Sequence, residues 1–99
     1  MIPHRAKRDL VEPEIIGALR AVGASVAQLS QRGLPDLLVG LAGRTVLLEV
    51  KGARGKLTPD QETFLALWRG GTVTVVHSVS EALAALEDAT GRQFGGRVA

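Results

Sequence analysis

The chain has 99 residues, 45% of them hydrophobic but only 3% aromatic, a net charge of +2 and no cysteine. That length makes a single domain, residues 1–99, near the lower end of what folds alone, with one mostly aliphatic core and no room for a separate substrate domain. Disulfides and thiolate metal ligands are excluded, no apolar run could span a bilayer, and no apolar segment follows the basic N-terminal residues as in a signal peptide, so a cytoplasmic setting is the expectation.

Arg5, Lys7 and Arg8 cluster before the first element and Arg92 and Arg97 lie near the other end, a distribution compatible with a polyanionic partner. The spacing of Ile15, Ile16, Leu19 and Val22 predicts a first helix over Glu12 to Val22, with Gly23 as its stop. The core is therefore expected over about 9–90, after a basic tail at 1–8 and before a flexible glycine-rich tail at 91–99, with His4 in the first of these. Ala24 to Leu29 predicts a short strand. After a turn-rich link, Asp36 to Leu41 and Thr45 to Lys51 predict a hairpin joined through Ala42, Gly43 and Arg44. A basic loop, Gly52 to Lys56, leads to a helix with explicit start signals: Thr58 as N-cap, Pro59 at the first helical position and Gln61 completing a capping box. Phe64, Leu65 and Trp68 form its apolar stripe, with Trp68 expected as a core anchor. Thr72 to His77 predicts a strand, and Ser78 with Glu81 opens a last helix through about Asp88. The order α-β-β-β-α-β-α defines an α/β domain with a mixed central sheet flanked by helices.

The polar residues of these elements converge. Glu49 and Lys51 are two apart on a predicted strand, so both side chains leave one sheet face while Val46, Leu48 and Val50 leave the other. Asp36, at the start of the neighbouring strand, brings a second carboxylate beside them. Glu12 precedes Ile15, Ile16 and Leu19 by three, four and seven residues and so points inward, whereas Glu14 projects to the opposite side. Gln61 precedes Phe64, Leu65 and Trp68 by the same intervals. Polar groups on an apolar face cost free energy unless paired, and a hydrated cation is a suitable partner. His4 and His77 have no partner spacing that suggests a ligand set or a general base.

A helical Glu, then Gly33-Leu34-Pro35-Asp36, then Glu49-Val50-Lys51, a basic glycine-containing loop and Leu57-Thr58-Pro59-Asp60-Gln61 together resemble the virus-type replication-repair nuclease domain, VRR-NUC, a branch of the PD-(D/E)XK nuclease superfamily. The likeness runs from about Glu12 to Glu81. Pro-Asp followed by Glu-x-Lys is a short pattern by itself, and Gln61 after the basic loop is what makes it specific. Pro13 directly after Glu12 is the one departure, and it leaves open whether Glu12 or Glu14 fills the helical acidic position.

The resemblance implies a restriction-endonuclease-like core and a divalent-metal-dependent DNA endonuclease using Mg²⁺, with Mn²⁺ as a substitute. Asp36, Glu49 and the Val50 carbonyl would bind the metal, with Glu12 in an outer shell or at a second metal. Lys51 would orient or help deprotonate the attacking water, or stabilise the transition state, and Gln61 would position a water, the lysine or a phosphate. Arg54, Lys56 and Lys51 are the expected contacts to DNA phosphates. Small stand-alone members resemble homodimeric resolvases of four-way (Holliday) junctions, so the same activity, in a bacterial or phage-infected cell, is the leading expectation. A monomeric nicking or flap nuclease and a catalytically inactive nucleic-acid-binding module are the alternatives.

Overall fold

The computed structural model describes residues 3–94, with side chains described from Val11 onward. The elements are α1 (Pro3–Ala21), β1 (Ser25–Gln28), β2 (Leu37–Leu41), β3 (Arg44–Val50), α2 (Pro59–Leu67), β4 (Val73–Val76) and α3 (Val79–Thr90). The strands form one sheet in the order β1-β2-β3-β4, antiparallel across the first two pairs and parallel between β3 and β4. It is the mixed α/β sheet expected from the sequence. No helix among the described residues is long and apolar enough to cross a membrane.

α1 begins at Pro3, nine positions before the expected Glu12, so residues 3–8 belong to a helix and are not a tail ahead of the first element. The expected start rests on the apolar spacing, which begins only with Glu12 and Ile15. A proline is most at home in a first turn, where its missing N–H is no loss. The helix instead runs through Pro13 and gives up that hydrogen bond. Its other end closes as the spacing predicted: the Ala24 N–H donates to the Leu19 carbonyl at 3.1 Å and the Gly23 N–H to the Arg20 carbonyl at 3.0 Å, the paired bonds of a Schellman motif.

One face of the sheet is covered and holds the core. Ile15, Ile16 and Leu19 of α1 and Ala82, Leu83 and Leu86 of α3 pack on Leu37, Val39, Val46, Leu48, Val50 and Val76. The period of two then sends Ala27, Leu38, Leu47, Glu49 and Val75 to the opposite face, where Leu38 is 39% exposed. α2 has no buried residue. The expected core anchor Trp68 is 43% exposed and lies at the helix C-cap, its indole N–H donating to the Gly71 carbonyl at 2.8 Å and its ring stacked on Phe64 at 5.1 Å. The apolar stripe of α2 stacks on itself because the helix does not join the core, a fact of tertiary position that periodicity cannot reveal.

At the C-terminal end, Gly91 caps α3 in the left-handed region, and Phe94 packs against the core with its N–H donating to Glu87 Oε2 at 2.9 Å. Residues 91–94 of the tail expected at 91–99 are thus placed against α3; Arg97 lies outside the described residues.

Two local features set stability. Leu41 pairs with Arg44, leaving a two-residue hairpin turn in which Ala42 (φ 54°) and Gly43 (φ 76°) both have positive φ, the signature of type I′. Ala42 carries its Cβ into a region that asparagine tolerates far better. Ala42→Asn is expected to raise unfolding free energy by roughly 0.5–1 kcal/mol in urea titrations; no gain would mean the turn relaxes at no cost. At α3, Ser78 Oγ accepts from the Glu81 N–H at 3.1 Å as predicted. Glu81 Oε1 reaches one residue further back than a capping box requires, accepting from the His77 N–H at 2.7 Å and meeting His77 Nδ1 at 3.0 Å. The hydrogen bond from the His77 ring, then that from its backbone, hold the Glu81 carboxyl below its ordinary range. A lowered carboxylate pKa gives stability that is full above the unfolded value and lost as pH falls through the folded one. Parent and Glu81→Gln should therefore differ in melting temperature at neutral pH and converge in acid; a constant gap would show that the ionised carboxylate is not the source.

Candidate active site

The site is assembled where β2 begins and β3 ends. Pro35 is fully buried, and regular pairing between these strands stops two residues after it, at Leu37 opposite Leu48. That leaves the Val50 N–H, deep in the protein, without a strand partner. Asp36 supplies one: its Oδ2 accepts from Val50 at 2.7 Å, while its own carbonyl accepts from the Leu29 N–H at 2.8 Å. The residue thereby ties the chain after β1 to the end of β3. Continuing the register, Asp36 falls opposite Glu49, which places both carboxylates on the same sheet face. Both are buried, Asp36 at 7% and Glu49 at 3% exposure.

Lys51 follows the last residue of β3 on the same side as Glu49. Its Nζ lies 3.8 Å from Glu49 Oε2, with side chains only 13% and 4% exposed. Two such groups are stable out of water only with further partners. Gln61 provides them. Its Nε2 donates to Glu49 Oε2 at 2.9 Å, while its Oε1 accepts from Lys51 Nζ at 2.6 Å and from the Thr58 N–H at 2.9 Å. The opposite orientation of the amide would set its NH₂ against two donors, so Lys51 and Thr58 together orient it. The capping box and the link to Glu49 and Lys51 are one and the same set of bonds.

Glycine allows the surrounding loops to close in. A Cβ on Gly33, whose φ is +85°, would stand 3.5 Å from Asp60, so the segment leading to Asp36 runs against the first turn of α2. A Cβ on Gly55 would stand 3.2 Å from Lys51 Cβ, so the basic loop folds back over the lysine stem with Arg54 and Lys56 exposed on it.

Asp36, Glu49, Lys51 and Gln61 are thus brought together, with the Val50 backbone between the last two strand-end side chains. Glu12 is buried as its spacing predicted, and Glu14 is exposed, so the inward acidic residue of α1 is Glu12. It lines one cleft with Asp36 and Gln61, and Gln28 Nε2 donates to its Oε2 at 3.1 Å. Among the described residues no three acidic or histidine side chains draw close enough to hold an ion by themselves. Sequence reasoning missed Gln28, although it is two residues after the inward Val26 on β1. It also missed Arg32 and Asp60, which face each other at 3.6 Å across the cleft; no periodic signal links a loop residue to a helix start 28 positions away.

Among solved structures the chain is similar to one described as "VRR_NUC domain", at 33% identity over 82% of this chain and 95% of that one, with a TM-score of 0.65. The fold is that of a small α/β nuclease domain. At this identity and coverage the likeness extends beyond fold, and the chain belongs to the VRR_NUC family. No family model and no curated protein matches the sequence.

The Asp36 geometry separates its two roles experimentally. Asp36→Asn keeps an acceptor for the Val50 N–H but loses the charge, so it should fold with near-parental stability and have no nuclease activity. Asp36→Ala should in addition lose about 1–3 kcal/mol in denaturant titration, the cost of an orphaned buried donor. Equal stability of the two variants would show that the Val50 N–H finds another partner.

Proposed function

We propose that this nuclease domain is a Mg²⁺-dependent, structure-selective DNA endonuclease, acting as a homodimer on four-way junctions. The observation that carries the reading is the buried pair Asp36 and Glu49 on one sheet face with Lys51 joined to Glu49 through Gln61. A nucleic-acid binder without catalysis has no use for two carboxylates beside a phosphate.

The donor set suits a hard cation. Two carboxylates and the Val50 carbonyl offer three oxygens, and among the described residues no third acid converges with them, which would leave the remaining positions to water, as Mg²⁺ prefers. When bound there, the ion would lower the pKa of a coordinated water and neutralise charge on the phosphate. Glu12, bonded to Gln28, would act through water from the outer shell. Lys51 would donate from Nζ to the attacking water or to a non-bridging oxygen as the P–O3′ bond breaks. Gln61 holds that ammonium by its carbonyl oxygen and Glu49 by its NH₂, so one amide keeps acid and lysine in register. Arg54 and Lys56 would meet backbone phosphates beside the scissile one.

Dimerisation follows from the chemistry of the substrate and has surface to support it. One small domain carries one site, and resolving a four-way junction takes two symmetric cuts. The half-exposed Leu38 on the open sheet face, with Leu67 and Trp68 on α2, offers apolar area that a second copy would cover.

The test is cleavage of end-labelled four-way junction, flap, nicked and linear duplex DNA in Mg²⁺, Mn²⁺ or EDTA, with Asp36→Asn as control and mass measured in solution. Paired symmetric cuts by a dimer, dependent on metal and absent from the control, are expected. Products from flaps or nicks by a monomer would move the assignment to a nicking or flap nuclease, and binding without product in any metal would leave a binding module.

A further inference from the structure

Arg32 has no part in the site as described, yet it lies in the same cleft. It precedes Gly33 on the link between β1 and β2, and its side chain is 90% exposed. The cleft is lined by three acidic residues, Glu12, Asp36 and Asp60, and among the described residues Arg32 is its one cation. Asp60 faces it from the first turn of α2, next in sequence to Gln61. The approach, Nε to Oδ2 at 3.6 Å, is longer than a hydrogen bond, and Asp60 is itself 60% exposed. Such a pair contributes little stability and exchanges readily. A guanidinium is also the group best shaped to take two oxygens of a phosphate at once.

We propose that Arg32 is a phosphate-binding residue for the DNA backbone, contacting a phosphate from within the cleft that Arg54 and Lys56 do not line, and that Asp60 holds its place until DNA arrives. This rests on the reading of the domain as a DNA nuclease. Asp60 has a second effect, since its carboxylate repels the same phosphate that Arg32 attracts. The two residues therefore have opposite influences on binding, while a purely structural ion pair between loop and helix would make their removal equivalent. The backbone contact carries no base preference.

Binding is measured by fluorescence anisotropy with a labelled four-way junction and a labelled duplex, between about 50 and 200 mM KCl. The protein carries Asp36→Asn so that substrate stays intact. Against this parent, Arg32→Ala should weaken binding about three- to tenfold and reduce the slope of log K on log salt by about 0.9, one phosphate's worth of counterions, on both DNAs alike. Asp60→Asn should tighten binding. Arg69→Ala, which removes the same charge beyond the far end of α2, should change neither affinity nor slope. Four results overturn the proposal: an unchanged slope in Arg32→Ala, an equal loss in Arg69→Ala, weaker binding in Asp60→Asn, or both parental affinity and parental salt slope restored in the Arg32→Ala/Asp60→Asn double variant, which would make Arg32 only a neutraliser of Asp60. No DNA binding by the parent would overturn the nuclease reading along with it, whereas parental binding with any of those four results overturns this inference alone.

Discussion

The end of this domain that carries the candidate site depends on how β2 starts. Pairing of β2 with β3 begins only at Leu37, so the next inward N–H of β3, that of Val50, has no strand partner, and burial makes an unsatisfied N–H costly. The Asp36 carboxylate resolves the conflict by accepting from Val50 at 2.7 Å. One hydrogen bond thus finishes the pairing of β2 and β3, fixes a buried carboxylate beside Glu49, and braces the backbone whose next residue is Lys51. The Pro-Asp pair is a folding device first, and the position of the acid follows from it.

The second constraint is the Gln61 amide, and it explains an otherwise odd helix. α2 buries no residue, and its large apolar groups Leu67 and Trp68 are 72% and 43% exposed. A short helix without core contacts is marginal by itself. Its capping box is closed by Thr58 and Gln61, and the same amide bonds Lys51 and Glu49, so the helix is attached chiefly at its N-terminal turn. Gly33 allows the β1 to β2 link to meet that turn at Asp60. The attachment works in both directions: α2 holds the charged residues in register, and they hold α2 to the sheet.

Much of this could be read from residue order because it follows local rules. Thr58, Pro59 and Gln61 announce a helix start, and Ile15, Ile16 and Leu19 announce the face that Glu12 shares. The alternation of Val46, Leu48 and Val50 with Glu49 and Lys51 announces two sheet faces. What misled was tertiary. The turns of α1 before Glu12 lack the apolar spacing of Ile15, Ile16 and Leu19, so nothing local announces them. Trp68 sits on a proper apolar stripe, but whether that stripe meets the core depends on where the loop from Gly52 to Leu57 delivers the helix. Arg32 and Asp60 lie 28 positions apart and meet only because a loop and a helix end cross the same cleft.

The charges divide in a way that bears on the order of events in the proposed reaction. Inside the cleft the carboxylates of Glu12, Asp36 and Asp60 outnumber the one cation among the described residues, Arg32, while Arg54 and Lys56 are exposed on a loop that does not line it. A phosphate approaching that cleft meets attraction at its rim and repulsion within. In the proposed reaction a divalent cation would lower the interior barrier before the scissile phosphate could settle, whereas the flanking phosphates would need no such help. On that reading DNA binding and DNA cutting would be separated in one small domain: the exposed cations would set how strongly the backbone is held, and the interior would set whether a bond in it can break.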